Sequence, residues 1–139
     1  MTYRTRFPVR FGDVDSAGIV YYPRFLHFCH IGMECYFRDV HGRPYPEMIH
    51  PDRDDLGFPT VHIEADFRRP LRYGDEVEVE VEIEKVGRSS VVWLFRVGAV
   101  APDDADRGEP NFEARIVTVA TKLSTLEKVA APEWLREGG

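Results

Sequence analysis

Residues 76–85 alternate glutamate with valine or isoleucine almost without a break. Because successive side chains of a β-strand point to opposite faces, the apolar residues are predicted to face a core and the glutamates to face water. Strands with this pattern are typical of antiparallel sheets that are covered on one face only. The segment therefore predicts an antiparallel sheet with one buried face.

A second pattern, over residues 24–40, predicts one long helix. Its apolar residues, from Phe25 to Val40, recur at the i, i+3, i+4, i+7 spacing of a single helical face. Gly42 and the prolines after it end the helix, because glycine adopts the left-handed conformation that closes helices and proline cannot continue one. A short helical turn is expected near residues 47–50.

Four further segments predict strands, at residues 3–11, 61–68, 90–100 and 112–123. In the first, Phe7, Val9 and Phe11 are expected on one side, and Pro8 indicates an edge strand or an irregular strand. Turn signals at 73–75, 87–89 and 102–110 separate the later strands. A strand, a long helix and four closely connected strands predict an α+β fold in one domain that spans residues 1–139.

The outer face of the predicted sheet is not uniformly polar. One helix covers only one face, yet Val92 and Leu94 lie at outward positions of the strand at 90–100. Apolar residues on an uncovered face indicate a contact with another subunit, so a dimer is expected.

Composition argues against several kinds of partner. A net charge of −6 repels nucleic acids and anionic membranes on average. No apolar run approaches the roughly 20 residues of a transmembrane helix, and residues 1–8 do not resemble a secretory signal. Cys29 and Cys35 lie on one predicted helix and point about 120° apart, so free thiols in a cytoplasmic protein are expected.

The segment with the clearest chemical meaning is 12–23, Gly-Asp-Val-Asp-Ser-Ala-Gly-Ile-Val-Tyr-Tyr-Pro, between the first strand and the helix. A carboxylate can attack a carbonyl or activate water, while N–H groups at a helix N-terminus stabilise negative charge on a carbonyl oxygen. Pro23 fits the first helical position, which makes the Tyr22 amide the free donor. If Asp15 folds back toward this terminus, the pair could perform acyl transfer on a thioester.

Asp13 and Asp15 also allow other interpretations. A calcium loop needs further ligands at the positions that Ala17 and Arg24 occupy. The loop of an aspartate-based phosphatase would follow a parallel strand, but no alternation of strands and helices continues after it. A purely structural use, in which both aspartates bind turn amides or cap the helix, stays open on the local pattern alone.

Residues 10–25 resemble the signature of the 4-hydroxybenzoyl-CoA thioesterase family, roughly Gly-Asp-x-Asp-x-x-Gly-Ile/Val-Val-Tyr-x-x-x-Tyr/Phe. Residues 59–75, Pro-Thr-Val-His-Ile-Glu-Ala-Asp-Phe-Arg-Arg-Pro-Leu-Arg-Tyr-Gly-Asp, are similar to the family's second block. The resemblance implies a hot-dog fold, a curved antiparallel sheet wrapped around one long helix, in dimers and often tetramers. It also implies an acyl-CoA thioesterase without a metal or a redox cofactor.

The resemblance also implies roles for individual residues. Asp15 matches the catalytic carboxylate of the family, Tyr22 supplies the oxyanion amide, and Asp13 organises the loop. Lys85 and Arg88 flank a glycine turn where the family often places nucleotide contacts, on the same or on the neighbouring subunit. Other candidates for the phosphates of coenzyme A are Arg68, Arg69 and Arg72.

The acyl group is expected to contact residues near the start of the helix. Tyr21, Phe25 and His30 are the candidates, and His30, about two turns past Pro23, would face a polar substituent or an aromatic ring. These residues are compatible with an aryl group such as hydroxybenzoyl.

Three alternatives remain open. A hot-dog dehydratase of 3-hydroxyacyl thioesters would need a histidine and an acid at the dimer seam, which the aspartate loop does not supply. A non-catalytic module would bind acyl-CoA or acyl-carrier protein without releasing a thiol. Another group of hot-dog thioesterases uses a glutamate on the central helix, and Glu34 is available for that role.

Overall fold

The computed structural model describes residues 2–100 and 108–136. The main strands are β1 Tyr3–Pro8, β3 Thr60–Phe67, β4 Glu76–Val86, β5 Ser90–Ala99 and β6 Phe112–Val119. Within the described ranges these strands form one antiparallel sheet in the order β1-β4-β5-β6-β3. The long helix, α1 Arg24–His41, follows β1 in the chain. The predicted α+β fold with an antiparallel sheet is therefore confirmed, and β1 is an edge strand as Pro8 indicated.

Helix α1 packs on the inner face of the sheet. Its buried residues, from Phe25 to Phe37, belong to the predicted apolar stripe. Gly32 allows the helix to approach β4 closely, because a Cβ atom there would lie 2.7 Å from Cγ1 of Val79. Gly42, with a φ of 65°, ends the helix as predicted.

The alternation in β4 places its valines in the core, but one glutamate is not in water. Glu78 is only 6% exposed. Arg4 and Arg6 of the neighbouring β1 pair with it, with Nε of Arg6 2.9 Å from Oε2 of Glu78. The expectation that every glutamate of this strand faces water is therefore wrong at Glu78, because arginines of the edge strand cover it.

The first strand is shorter than predicted. The chain leaves the sheet after Pro8 and turns through a 3-10 helix at Phe11–Asp13. Since Oδ2 of Asp13 accepts a hydrogen bond from the Arg10 amide at 2.8 Å, this turn replaces the end of the expected strand. Val9 is buried but Phe11 is 77% exposed, so the prediction that Phe11 shares one side of a strand with Phe7 and Val9 is wrong.

The last predicted strand is divided in two. After β6 the chain passes into a small second sheet, formed by β7 Thr121–Lys122 with β2 Leu56–Gly57 and β8 Glu127–Lys128. A short helix, α2 Tyr45–Ile49, lies near the expected turn at 47–50, and a 3-10 helix at Glu133–Arg136 has no counterpart in the sequence patterns. The expected turn at 102–110 lies mostly outside the described residues.

Apolar surface is exposed on the edge strand β3 rather than on β5. All eight residues of β3 are exposed, and three of them are large and apolar: Val61, Ile63 and Phe67. On β5, by contrast, Val92 is buried and Leu94 is half-buried. In the part of the chain that the structure covers, no helix is long and apolar enough to cross a membrane.

Candidate active site

Residues 13–21 fold into a narrow hairpin between β1 and α1. The amide of Tyr21 donates to the carbonyl of Asp13 at 2.9 Å, and the amide of Asp15 donates to the carbonyl of Ile19 at 3.0 Å. Gly18, with a φ of 78°, makes the tight turn and donates to the carbonyl of Asp15 at 3.0 Å. The hairpin therefore places Asp15 opposite Ile19. Ile19 precedes Tyr22 by three residues in the chain.

The two aspartates of the hairpin have different surroundings. Asp13 is buried, and its carboxylate accepts hydrogen bonds from the Arg10 amide and from the guanidinium of Arg24. Asp15 is exposed, and its Oδ1 accepts one hydrogen bond from the Ala17 amide at 2.8 Å. Within residues 2–100 and 108–136, Oδ2 of Asp15 accepts no hydrogen bond, so only one of the two carboxylates is available to a ligand.

The start of α1 offers one amide donor beside this hairpin. The amides of Arg24, Phe25 and Leu26 donate to carbonyls three residues earlier, in bonds of 2.8–3.2 Å. Pro23 has no N–H. Among the described residues, nothing accepts a hydrogen bond from the Tyr22 amide. This amide is the expected oxyanion donor, and it is the one left unpaired at the helix start.

Aromatic rings line the approach to the helix start. The Tyr22 side chain is 64% exposed and meets Phe67, at the end of β3, with ring centroids 6.2 Å apart. Beneath them, Phe25 stacks on Phe112 at 5.0 Å and also contacts Phe67. Tyr21 is exposed beside Tyr22. Tyr21 can thus touch a ligand directly, while Phe25 belongs to the core under the exposed rings.

His30 lines a small, mostly apolar pocket between α1 and the inner face of the sheet. Its Nε2 lies 3.1 Å from Oε2 of Glu34, one turn later on the helix, and its ring meets the ring of Tyr45 at 5.4 Å. The other residues of the pocket come from α1 and from three strands, and they are Leu26, Cys29, Met33, Thr60, Ile63, Trp93, Phe95, Ile116 and Thr118. Since Leu26 lies in the first turn of α1, the pocket begins beside the helix N-terminus.

Lys85 and Arg88 lie far from this site in the same protomer. The hydrogen bond from the Val9 amide to the carbonyl of Asp75 puts the hairpin at the beginning of β4. Lys85 and Arg88 lie at the other end of β4, and an eleven-residue strand is about 35 Å long. These two side chains therefore do not adjoin Asp15 in the same protomer.

The turn after β3 brings a different arginine to the site. Arg72 pairs with Ile19 in an antiparallel bridge, and the Tyr73 amide donates to the carbonyl of Gly18 at 3.0 Å. Arg68 and Arg69 are engaged elsewhere, with Glu109 among their partners.

Sequence reasoning missed Phe67, because only the pairing of β3 with β6 brings it to Phe112 and the helix start.

No metal centre is evident at the site. In the described part of the chain, no group of three or more His, Cys, Asp or Glu side chains is placed to hold a metal ion.

Burial raises the pKa of the Cys29 thiol in the His30 pocket, which keeps this thiol protonated. Asp15, the Tyr22 amide and His30 are the polar groups described above at the hairpin, the helix start and the pocket.

Residues 17–100 match the sequence profile described as the Thioesterase superfamily. A 1,4-dihydroxy-2-naphthoyl-CoA hydrolase of Prochlorococcus marinus (strain NATL1A) is 32% identical, across 94% of this chain and 88% of that protein. Among solved structures, a gentisyl-coenzyme A thioesterase is similar with a TM-score of 0.81 and 25% identity, across 96% of this chain and 99% of that one. A 4-hydroxybenzoyl-CoA thioesterase variant in complex with 4-hydroxybenzoyl-CoA has a TM-score of 0.84 and 23% identity, across 98% and 96% of the two chains, a likeness of fold alone.

Proposed function

Since the chain belongs to the thioesterase superfamily, has its hot-dog fold and is a thioester hydrolase, we propose that it cleaves an aryl-CoA to a carboxylate and free coenzyme A. One observation carries this proposal: the hairpin holds Asp15, whose carboxylate is available, opposite Ile19, and the chain reaches the Tyr22 amide three residues after Ile19, where that amide is unpaired among the described residues. Cytoplasmic location stays a prediction.

Asp15 and the Tyr22 amide divide the chemistry between them. The thioester carbonyl oxygen accepts a hydrogen bond from the Tyr22 amide, which stabilises the oxyanion as the carbonyl carbon is attacked. One such donor lowers the barrier by about 3–4 kcal/mol. The C–S bond then breaks, and coenzyme A leaves as a thiolate that takes up a proton.

Two routes for Asp15 stay open. As a nucleophile, its carboxylate attacks the carbonyl carbon and forms a mixed anhydride, which water then hydrolyses. As a general base, it removes a proton from water while the water oxygen attacks the same carbon. Both routes end in the same carboxylate and the same thiol.

An aryl substrate fits the surroundings of Asp15. Tyr21, Tyr22 and Phe67 expose rings at the helix start, and aromatic rings pack favourably against one another at centroid distances of 4.5–7 Å. The relatives reported above also carry the names of enzymes for aromatic CoA esters. Hydroxybenzoyl, gentisyl and dihydroxynaphthoyl groups are therefore the acyl groups to test first.

His30 is proposed to select a hydroxylated ring. It is the one imidazole in the pocket beside the helix start, among the described residues, and its Nε2 is held by Glu34 at 3.1 Å. With that nitrogen engaged, Nδ1 can exchange a hydrogen bond with a phenolic hydroxyl of the acyl group. Glu34 would then position His30 rather than attack the thioester.

We propose a homodimer or homotetramer as the active form. The edge strand β3 exposes Val61, Ile63 and Phe67, and uncovered apolar edge strands tend to pair with another chain. A partner subunit could also bring Lys85 and Arg88 to a substrate at Asp15. Lys85 and Arg88 stay candidates for contacts with coenzyme A only in such an assembly.

The function is tested by following free thiol release from aryl, short-chain and long-chain CoA esters. The proposal expects the aryl esters to give the highest kcat/KM, and equal rates on all three classes would contradict the aryl preference. A parallel hydration assay with an enoyl-CoA tests the dehydratase. Binding of acyl-CoA without thiol release would support the non-catalytic module instead. Light scattering gives the subunit number, and a monomer would contradict the proposed assembly.

A further inference from the structure

We infer that Phe11, Tyr73, Arg10 and Arg72 form a binding surface for the nucleotide end of coenzyme A on the same protomer as Asp15. This inference rests on the proposed function, because it names where the remote end of that substrate binds. The four residues are called the Phe11–Tyr73 surface below. It is distinct from Lys85 and Arg88, which lie at the other end of β4.

Two exposed rings form the centre of the surface. Phe11 is 77% exposed and Tyr73 is 58% exposed, and their ring centroids lie 5.9 Å apart in an edge-to-face arrangement. Scattered exposed apolar residues are common, but a contacting pair of rings on two tight turns is an organised apolar patch. A purine base can pack against such rings.

Both turns are held firmly in place. The turn of Phe11 is closed by the buried carboxylate of Asp13. The turn of Tyr73 is closed by Asp75, whose Oδ2 accepts a hydrogen bond from the Arg72 amide at 2.9 Å. The rings are therefore presented by rigid backbone, which lowers the entropy cost of binding a ligand there.

The surface adjoins the Asp15 hairpin. Phe11 precedes Asp15 by four residues, which span at most about 14 Å of extended chain. On the other side, the Tyr73 amide donates to the carbonyl of Gly18, in the turn that Asp15 begins. The two rings thus lie beside the hairpin that carries the reactive carboxylate, in a position that the pantetheine arm of coenzyme A can reach.

Two arginines at this surface lack acidic partners among the described residues, as Arg53 also does elsewhere in the chain. Arg4, Arg6 and Arg24 nearby are each ion-paired with a glutamate or an aspartate. In contrast, neither Arg10 nor Arg72 forms an ion pair within residues 2–100 and 108–136. Guanidinium groups bind phosphate in a bidentate manner, and coenzyme A carries a diphosphate and a 3′-phosphate. Arg10 precedes Phe11 and Arg72 precedes Tyr73 in the chain, so each exposed ring has a cationic neighbour, which suits an adenosine phosphate.

The inference is tested first with adenosine 3′,5′-bisphosphate, the nucleotide fragment alone, by isothermal titration calorimetry on the full chain. We expect Arg72→Ala to weaken binding about tenfold, as the loss of one charge-assisted contact does. Tyr73→Ser should weaken it as well. The matched control is Arg53→Ala, an exposed arginine in the loop after α2 without an ion pair among the described residues, and it should bind as the wild type does. Equal affinity in Arg72→Ala and Arg53→Ala would overturn the inference.

A kinetic comparison separates this inference from the proposed function. Arg72→Ala should raise KM for 4-hydroxybenzoyl-CoA about tenfold more than it raises KM for the corresponding pantetheine thioester. An equal rise in KM on both substrates would overturn the inference. In one outcome the wild type binds the nucleotide and Arg72→Ala loses that binding, while the wild type releases no thiol from any ester. That result would refute the proposed function and leave the inference standing. In another outcome Phe11→Ser changes the subunit number and leaves nucleotide affinity intact. In that case the two rings form a contact between subunits, and the inference fails.

Discussion

The guanidinium of Arg24, in the first turn of α1, donates two hydrogen bonds to Oδ1 of Asp13, from Nε at 3.0 Å and from Nη2 at 2.7 Å. The other oxygen of Asp13 accepts the Arg10 amide. One buried carboxylate thus joins the turn after β1 to the helix start, and it fixes the hairpin that carries Asp15 between them.

Asp13→Asn is expected to lower stability more than catalysis. A neutral amide weakens the pair with Arg24, and because Arg24 is partly exposed the loss should be about 1–3 kcal/mol. Urea denaturation followed by fluorescence measures it, with Asp66→Asn as the control, since Asp66 is exposed and 3.9 Å from its partner Arg68. An unchanged unfolding midpoint together with a large loss of turnover would exchange the roles given to Asp13 and Asp15.

Gly32→Ala is expected to destabilise the packing of α1 on the sheet. The new Cβ atom would meet Cγ1 of Val79 at 2.7 Å, and Val79 is fully buried, so the helix or the strand has to shift. Overpacking of this kind costs about 1–3 kcal/mol, which exceeds the gain of about 1 kcal/mol in helix propensity. Gly12→Ala is the control, because nothing lies within 4 Å of a Cβ atom there. A Gly32→Ala protein more stable than the wild type would contradict the close approach.

The two thiols are expected to react at different rates with iodoacetamide. Burial raises the pKa of Cys29, so at pH 8 this thiol is less ionised than a free cysteine and is also shielded from the reagent. Cys35 is only half-buried and should be alkylated first. Mass spectrometry of partly labelled native protein measures the order, and labelling in urea provides the reference in which both react. Alkylation of Cys29 ahead of Cys35 in the native protein would rule out this account of the pocket.

His30→Leu is expected to reduce the preference for hydroxylated rings. If His30 exchanges a hydrogen bond with a phenolic hydroxyl, its loss should lower the ratio of kcat/KM for 4-hydroxybenzoyl-CoA over benzoyl-CoA about tenfold. The control is His27→Leu, because His27 is exposed and lies outside the pocket. A ratio that is the same in both variants and the wild type would remove His30 from substrate selection.

Sequence periodicity was sufficient for the helix and the central strands. The apolar stripe on α1 is regular over more than two helical turns, and the alternation in β4 is regular over ten residues. The predicted bounds of both elements therefore agree with the structure within a residue or two. Phe11 was misplaced because the strand pattern continues past Pro8, whereas the side chain of Asp13 bonds to the backbone and turns the chain. The break after Val119 was not visible, since its cause is pairing of β7 with distant β2.

The site was predictable only where its parts are close in sequence. Asp15, Gly18 and Tyr22 lie in one hairpin and helix start, so a local motif identified them. Phe67 and Arg72 reach the same place through strand pairing and a long-range bridge, which no local pattern encodes. Lys85 and Arg88 were chosen for the glycine turn beside them, but sequence could not show that β4 carries them to the opposite end of the sheet.

The most direct measurement is the rate of thiol release by Asp15→Asn with an aryl-CoA ester that the wild type hydrolyses, at saturating substrate. The amide can neither attack the carbonyl nor remove a proton from water, and Asp15 is exposed and contributes no buried contact, so the fold should be retained. We predict a fall in kcat of at least about 100-fold with an unchanged unfolding midpoint. Turnover close to that of the wild type would contradict the account, and a large loss in Glu34→Gln instead would move the reaction to the helix glutamate.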